Sequence, residues 1–452
     1  MKILIAGCGQ VGRALVQELS NEGHDLTLLD SDPRVLEMGM ERFDVMAVQG
    51  NCASMETLHQ AGVESADLLI ACTGSDELNL LACATAHAIH PKLHTIARVR
   101  NPEYTAQAFE MREAFGLSMT FNPELQAAME IERLLKMPGF LKRDTFAKGR
   151  VEIVEIRVES DSKLCDVPLH MLNGIVKCRV LVCTVLREGQ VFTPDGNFVL
   201  RSGDRIFVTA PSNNLAMLLK NLGIVTHKIK RALLVGGGTL SYYVAQRLES
   251  SSIDATIMEP NEERCVELAT LLPEVDVVCR DPREDGLLEG EELSEADALI
   301  SLSDSDELNM VISLYGTHRG IQQIVTRLEQ LGGKGITEQL PLGSVICPRQ
   351  LCCSNIVRYV RAMQNQVGAA VTLHSIADGQ AEALEFLLDE NALHCGVPLK
   401  RLKLRPHVLL VGITSKNGIE IPGGDSVFHQ GDSVVVGVGG DTVIGQFNDI
   451  FA

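Results

Sequence analysis

The chain has no tryptophan and only 4% aromatic residues, so its cores must rest on Val, Leu, Ile, Ala and Met. That palette suits buried parallel strands and the helices that cover them. Positive charge is also short. The formal net charge of -19 disfavours nucleic-acid binding by phosphate neutralisation, and an acidic surface is repelled by anionic lipid headgroups. No apolar run approaches the roughly 18 residues needed to span a bilayer, and residues 1–6 read as a strand, not as a signal peptide. The 13 cysteines contain no C-x-x-C spacing, which argues against a structural zinc site or a disulfide frame. Cys72 and Cys183 stand in apolar runs and read as small core residues of a reducing compartment. The expectation is a cytoplasmic protein with no nucleic-acid partner and no direct membrane insertion. Any membrane association would run through a protein partner.

What is present is a long internal repeat. Ile3-Leu4-Ile5-Ala6-Gly7-Cys8-Gly9 returns as Ala232-Leu233-Leu234-Val235-Gly236-Gly237-Gly238, an offset of 236 − 7 = 229. Ser75-Asp76-Glu77-Leu78-Asn79 returns as Ser305-Asp306-Glu307-Leu308-Asn309, an offset of 305 − 75 = 230. Cys165-Asp166-Val167-Pro168-Leu169 returns as Cys395-Gly396-Val397-Pro398-Leu399. Each half therefore has a large first part and a smaller second part. The large parts alternate strand-like and helix-like runs, which implies an α/β fold with a doubly wound parallel sheet. The smaller parts are turn-rich with short β runs and read as small α+β modules. The expected domains are 1–140, 141–228, 229–365 and 366–452, with linkers near 139–150, 221–230 and 364–368.

The chemistry concentrates in the first part. Gly7-x-Gly9-x-x-Gly12 follows an apolar strand and opens a helix-like run, and a second strand ends in Asp30, 30 − 7 = 23 residues on. Such a pattern serves a dinucleotide. Gly7 permits the tight turn, Gly9 lets backbone approach a pyrophosphate, and Gly12 lets helix and strand pack closely. Helix N–H groups then face the phosphates. Asp30 accepts from ribose hydroxyls and repels a 2′-phosphate, which favours NAD over NADP. Glycines of this kind are also met in doubly wound domains that bind no nucleotide and keep them for packing. Thr73 and Gly74 follow a third apolar strand and suit either a ligand or a turn. Ser75, Asp76 and Glu77 suit helix capping. Arg98 near a later strand end could reach ligand phosphates or an acid across a subunit boundary. His87, His90 and His94 are spaced like a metal cluster, but Pro91 ends their helix and they need not share a face. Cys352-Cys353 reads as core. No Ser-His-Asp order, paired catalytic carboxylates or Walker loop is present.

The chain resembles the TrkA-type proteins, the cytoplasmic gating subunits of bacterial Trk potassium uptake systems. The resemblance runs over essentially the full length. It rests on Gly7-Cys8-Gly9-Gln10-Val11-Gly12, Val48-Gln49-Gly50-Asn51, Thr73-Gly74-Ser75-Asp76-Glu77-Leu78-Asn79, Ala97-Arg98-Val99-Arg100-Asn101-Pro102-Glu103-Tyr104 and Phe121-Asn122-Pro123-Glu124. It implies two Rossmann-like RCK N-terminal domains, each followed by a small α+β RCK C-terminal domain. It also implies a homo-oligomeric ring beneath an integral-membrane channel subunit, with NAD(H), ATP or ADP as ligands that change ring shape. The nucleotide residues it implies are Gly7, Gly9, Gln10, Val11, Gly12, Asp30, Asn51, Thr73, Gly74 and Arg98. Related proteins can carry Arg where Gln10 stands, which puts a strong ATP preference in doubt. The helix-like run 124–135 has an apolar stripe that suits either its own domain or a neighbour.

A regulator is thus expected, with no enzyme activity of its own. The alternatives are an NAD-dependent oxidoreductase, which lacks a second catalytic domain, and a scaffold with inert nucleotide folds. The second copy keeps Gly236, Gly238 and Glu259 at the same spacing, 259 − 236 = 23, but carries Ser241 where Gly12 stands. A Cβ and hydroxyl there are expected to push the helix off the strand, making the first site the tighter for NAD-type ligands.

Overall fold

The computed structural model describes residues 1–136, 138–147, 150–211, 214–222, 228–283, 293, 295–329, 340–363, 370–377, 380–415, 418–440, 442 and 444–452. The linker expected at 364–368, and residues 223–227 of the one expected at 221–230, lie outside them. The chain forms two compact units. The first is Met1–Ala128 with Cys347–Val357, and the second is Met129–Ile346 with Arg358–Ala452.

The first unit is built on a six-stranded parallel sheet of β1 (Lys2–Ala6), β2 (Asp25–Asp30), β3 (Met46–Gln49), β4 (Leu68–Ala71), β5 (His94–Arg98) and β6 (Met119–Phe121). The order is β3-β2-β1-β4-β5-β6. All four residues of β4 are buried, as expected of a strand covered by helices on both faces. The helices start where local chemistry dictates. Asp32 accepts from the Arg34 amide with Pro33 behind it, Ser75 accepts from Leu78 N–H, and Asn101 accepts from Glu103 N–H with Pro102 behind it. The strand order reverses between β1 and β4, and ligands of such sheets bind at the carboxyl edge of that switch point. Cys352 and Cys353 are core residues of this unit. They come from the helix Pro348–Met363, which belongs to the second copy by sequence.

The second unit repeats the sheet as β12 (Arg231–Val235), β13 (Asp254–Glu259), β14 (Asp276–Cys279), β15 (Ala298–Ser301), β16 (Gln323–Arg327) and β17 (Ser344–Ile346), in the order β14-β13-β12-β15-β16-β17. It also holds two five-stranded antiparallel sheets. One runs β10 (Gln190–Phe192), β9 (Leu181–Arg187), β11 (Arg205–Pro211), β8 (Val151–Arg157), β7 (Lys142–Phe146). The other runs β18 (Ala370–Ile376), β19 (Ala381–Leu387), β22 (Ser433–Gly439), β20 (Val408–Ser415), β21 (Gly418–Glu420). The two sheets share one apolar cluster, with Phe146, Ile153 and Phe207 against Ile376, Val411 and Val435. Glu132, near the end of the helix Pro123–Lys136, also belongs here. It accepts from Arg247 Nε and from Ser251 Oγ at 2.5 and 2.6 Å. The apolar-striped helix is thus divided, its first turns in one unit and its last turns in the other.

Candidate functional site

The first cleft forms where β1, β2, β4 and β5 end. Gly7 holds φ +96°, and a Cβ on it would stand 2.7 Å from Thr73 N. A Cβ on Gly12 would stand 2.0 Å from the Gly7 carbonyl oxygen. Both positions need glycine for the turn and the close crossing. A Cβ on Gly9 would meet nothing within 4 Å, so its backbone faces open space just before the helix Gln10–Asn21. Gln10 is exposed and Val11 is buried at the first turn. Asp30 stands beside the loop. Its carboxylate accepts from Cys8 N–H at 2.7 Å and from Asp32 N–H at 3.0 Å, leaving further lone pairs for a ligand. Asn51 is exposed and accepts from Ala53 N–H at 3.0 Å. Burial, then Asp30 and Cys72, push the Cys8 thiol up to about 12, so it is a neutral wall and not a nucleophile.

Thr73 and Gly74 form the opposite wall. Thr73 donates from N and Oγ1 to Asn79 Oδ1 at 2.8 and 2.7 Å. Asn79 is fully buried and donates to the Arg98 carbonyl at 3.0 Å. Asn79 ties β4 to β5 at the cleft, a role that spacing did not assign. Its signal was its place in the repeated Ser-Asp-Glu-Leu-Asn run. Arg98 donates from Nη2 to the Thr73 carbonyl, while its buried Nε has no hydrogen-bond partner among the described residues. Burial works against its charge. Arg100 donates to the Gly74 carbonyl at 3.0 Å. Asp76 accepts from the amides of Arg100 and Asn101, both at 2.8 Å, and is used in structure, as Ser75 is in capping.

The second cleft repeats this plan with altered parts. Gly236 holds φ +107°. Glu259 accepts from Gly237 N–H at 2.6 Å and from Asn261 N–H at 2.9 Å. Gly238 caps the helix Thr239–Ser250. Asn309 again ties the wall, accepting from Ser303 and donating to the Arg327 carbonyl at 3.1 Å. A cavity of about 190 Å³ lies here, lined by Gly237, Glu259, Pro260, Asp281, Arg283 and Asp304 among others. Ser241, expected to push its helix off the strand, stands at the position of Gly12. The hydroxyl donates to the Gly236 carbonyl, and the helix has 12 residues, as its counterpart has. Arg327 differs from Arg98. It donates to Glu329 at 2.7 Å and to Asp304 at 3.1 Å.

Among the described residues, no group of three or more His, Cys, Asp or Glu could hold a metal. No described helix is long and apolar enough to cross a membrane.

The TrkA-N domain model matches residues 3–123 and 232–348, and the TrkA-C domain model matches residues 153–223. A Trk system potassium uptake protein TrkA homolog of Archaeoglobus fulgidus is 30% identical over 436 residues, 96% of this chain and 97% of that protein. The TrkA of Haemophilus influenzae is 28% identical over 446 residues, 96% of this chain and 95% of that protein. Among solved structures, the GsuK RCK domain matches with a TM-score of 0.61 at 16% identity, covering 97% of this chain and 92% of that one. The GsuK channel bound to NAD matches at 0.60 and 17%, covering 97% and 77%. Two parallel sheets, two small antiparallel sheets and these relatives together place the chain in the TrkA family, with two TrkA-N domains in tandem.

Proposed function

We propose that this chain is a nucleotide-sensing regulatory subunit of a Trk-type potassium transporter, acting at the cytoplasmic face of the membrane through an integral-membrane partner. Relatives named as Trk system proteins over their whole length support it, and none of these is named as an enzyme. The observation that carries the ligand reading is the buried Arg98 Nε, without a partner among the described residues, at the same cleft as the exposed Gly9 backbone and the Asp30 carboxylate. A buried guanidinium edge of this kind is costly unless an acceptor meets it, and a ligand phosphate is such an acceptor. NAD(H) fits best. Asp30 would take the ribose hydroxyls, the turn from Gly7 to Gly12 the pyrophosphate, and Asn51, Thr73 and Gly74 the rim. ADP or ATP would use the same turn, but Gln10 offers no charge to a terminal phosphate. The ligand would bias a homo-oligomeric ring by binding one ring shape better than another.

Calorimetry on the full chain with NADH, NAD, ADP and ATP tests the ligand. Potassium flux into vesicles holding the chain and its membrane partner tests regulation. Binding is expected to weaken in Asp30→Ala, and flux is expected to change with nucleotide. Sustained NADH oxidation or ATP hydrolysis that Asp30→Ala abolishes would instead favour an enzyme. Flux indifferent to every nucleotide that binds would defeat the regulatory reading.

A further inference from the structure

Two thiols meet behind the second cleft. Cys265 lies in the helix Glu262–Leu271 and is buried, and its Sγ donates to the Glu259 carbonyl at 3.2 Å. Cys279 ends β14, where it stands in register with Glu259 on β13, and it is exposed. Its Sγ lies 4.0 Å from the Pro260 carbonyl oxygen. Both sulfurs therefore converge on two successive carbonyls, those of Glu259 and Pro260. The helix that carries Cys265 packs against β14, which carries Cys279. The first copy has no counterpart. Its register partner of Asp30 is Gln49, and buried Leu36 stands one turn into the following helix.

An exposed thiol beside a buried one is the arrangement that thiol–disulfide exchange requires, with one sulfur to attack a small disulfide and one to resolve it. We propose that Cys265 and Cys279 are a redox-modification site whose substrate is a low-molecular-weight disulfide of the glutathione type. Cys279, as thiolate, attacks one sulfur of the small disulfide. A mixed disulfide forms, and the first small thiolate leaves. Cys265 gives its proton to solvent and attacks Cys279 Sγ. The Cys265–Cys279 bond forms, and the second small thiolate leaves. Two protein thiols are oxidised and one small disulfide is reduced to two thiols, so no other electron acceptor is needed. Burial pushes the Cys265 thiol up to about 11, with Cys279 and Glu259 adding to it, so the resolving step is the slow one and quickens as pH rises. The bond clamps the helix to the end of β14 around Glu259 and Pro260, which line the second cleft. The proposal does not depend on what that cleft binds.

The test equilibrates the full chain with mixtures of reduced and oxidised glutathione at pH 8, traps free thiols by alkylation and maps peptides by mass spectrometry. The expected result is an intramolecular Cys265–Cys279 disulfide at oxidising ratios, reversed at reducing ones. In Cys265→Ser, the glutathione adduct on Cys279 should persist. In Cys279→Ser, Cys265 should stay alkylatable, with unchanged melting and circular dichroism reporting an intact fold. The clamp is read in the wild type by hydrogen–deuterium exchange over 259–265, expected to slow at least about tenfold on oxidation. A lasting adduct on wild-type Cys279 with Cys265 free, pairing of Cys279 with another cysteine, or two thiols alkylatable at every ratio would each overturn the site. Unchanged exchange in the disulfide form would overturn the clamp.

Discussion

Asp144 and His374 occupy equivalent places in the two copies, 374 − 144 = 230 positions apart, and they pair with each other. His374 Nδ1 stands 3.1 Å from Asp144 Oδ1. β7 and β18, the edge strands of the two small sheets, meet here. Phe146 lies edge-on to His374, with ring centroids 4.8 Å apart. An exact repeat would put two like groups here, and the sequence has instead divided the pair into an acid and a base.

Acid stability should report this pair. Burial by itself would raise Asp144, but Lys142 and the hydrogen bond from His374 outweigh it and hold the carboxyl at about 2. A folded value below the unfolded one gives stability that is present above pH ~4 and lost as pH falls toward ~2. Asp144→Asn should cost about 2 kcal/mol near neutrality, and the gap from wild type should close by pH ~2. Urea melts at pH 7, 4 and 2.5 measure it. His374→Asp should cost more than His374→Asn, because two buried carboxylates cannot both ionise freely. A gap between wild type and Asp144→Asn that does not change with pH would contradict this account.

The acid and the loop residue beside it are matched in size. The first copy pairs Cys8 with Asp30, and the second pairs Gly237 with Glu259. A Cβ on Gly237 would stand 2.8 Å from Glu259 Cγ. Gly237→Cys should therefore destabilise the second parallel-sheet domain by about 1–3 kcal/mol. Adding Glu259→Asp should recover most of that loss, because it recreates the first copy's pair. A double-mutant cycle in thermal melts decides it. Additive losses would show that the two positions are independent.

The repeat, the alternation of strand and helix and the glycine turn were legible because each is local and periodic. So was the capping by Ser75, since a short polar side chain before an apolar run has few other uses. The division of the helix Pro348–Met363 between units was not legible. Cys352 and Cys353 pack with Val11 and Cys72 in the first unit, and no spacing encodes partners so far apart in the chain. The Asp144–His374 pair was hidden for the same reason. Ser241 was legible as a departure from Gly12, but its hydrogen bond to the Gly236 carbonyl was not, because a hydroxyl's effect depends on whether an acceptor lies within reach.

That acceptor is the turn carbonyl, and the two copies satisfy it differently. In the first, Cys72 Sγ donates to the Gly7 carbonyl at 3.2 Å. In the second, Leu302 stands at the matching place, and Ser241 donates to the Gly236 carbonyl. Ser241→Ala keeps the crowding and removes the donor. It should cost about 1–3 kcal/mol, more than Ser241→Gly, which relieves the crowding as it removes the hydroxyl. Gly12→Ala should be severely destabilising, because its Cβ would lie 2.0 Å from the Gly7 oxygen. Melting temperatures of the three variants rank them. A harmless Gly12→Ala would mean that the turn relaxes freely.

The two nucleotide sites should be unequal, and their arginines differ. Arg98 has a buried Nε without a partner among the described residues, whereas Arg327 is held between Glu329 and Asp304. A ligand phosphate that meets Arg98 completes its hydrogen bonding. One that meets Arg327 must compete with two carboxylates and feels their repulsion. The first site should therefore bind NADH more tightly. Arg98→Gln should weaken it by roughly 10- to 100-fold, the value of a charge-assisted hydrogen bond of about 1.5–3 kcal/mol. Arg327→Gln should change the second site far less, and Glu329→Gln should strengthen it by freeing the guanidinium. Calorimetry on these variants, with Asp30→Ala and Glu259→Ala to assign each phase, makes the comparison. If Glu259→Ala removes the tighter NADH phase while Asp30→Ala keeps it, the ranking is reversed. If Arg98→Gln leaves that phase untouched, the buried guanidinium edge is not where the phosphate binds.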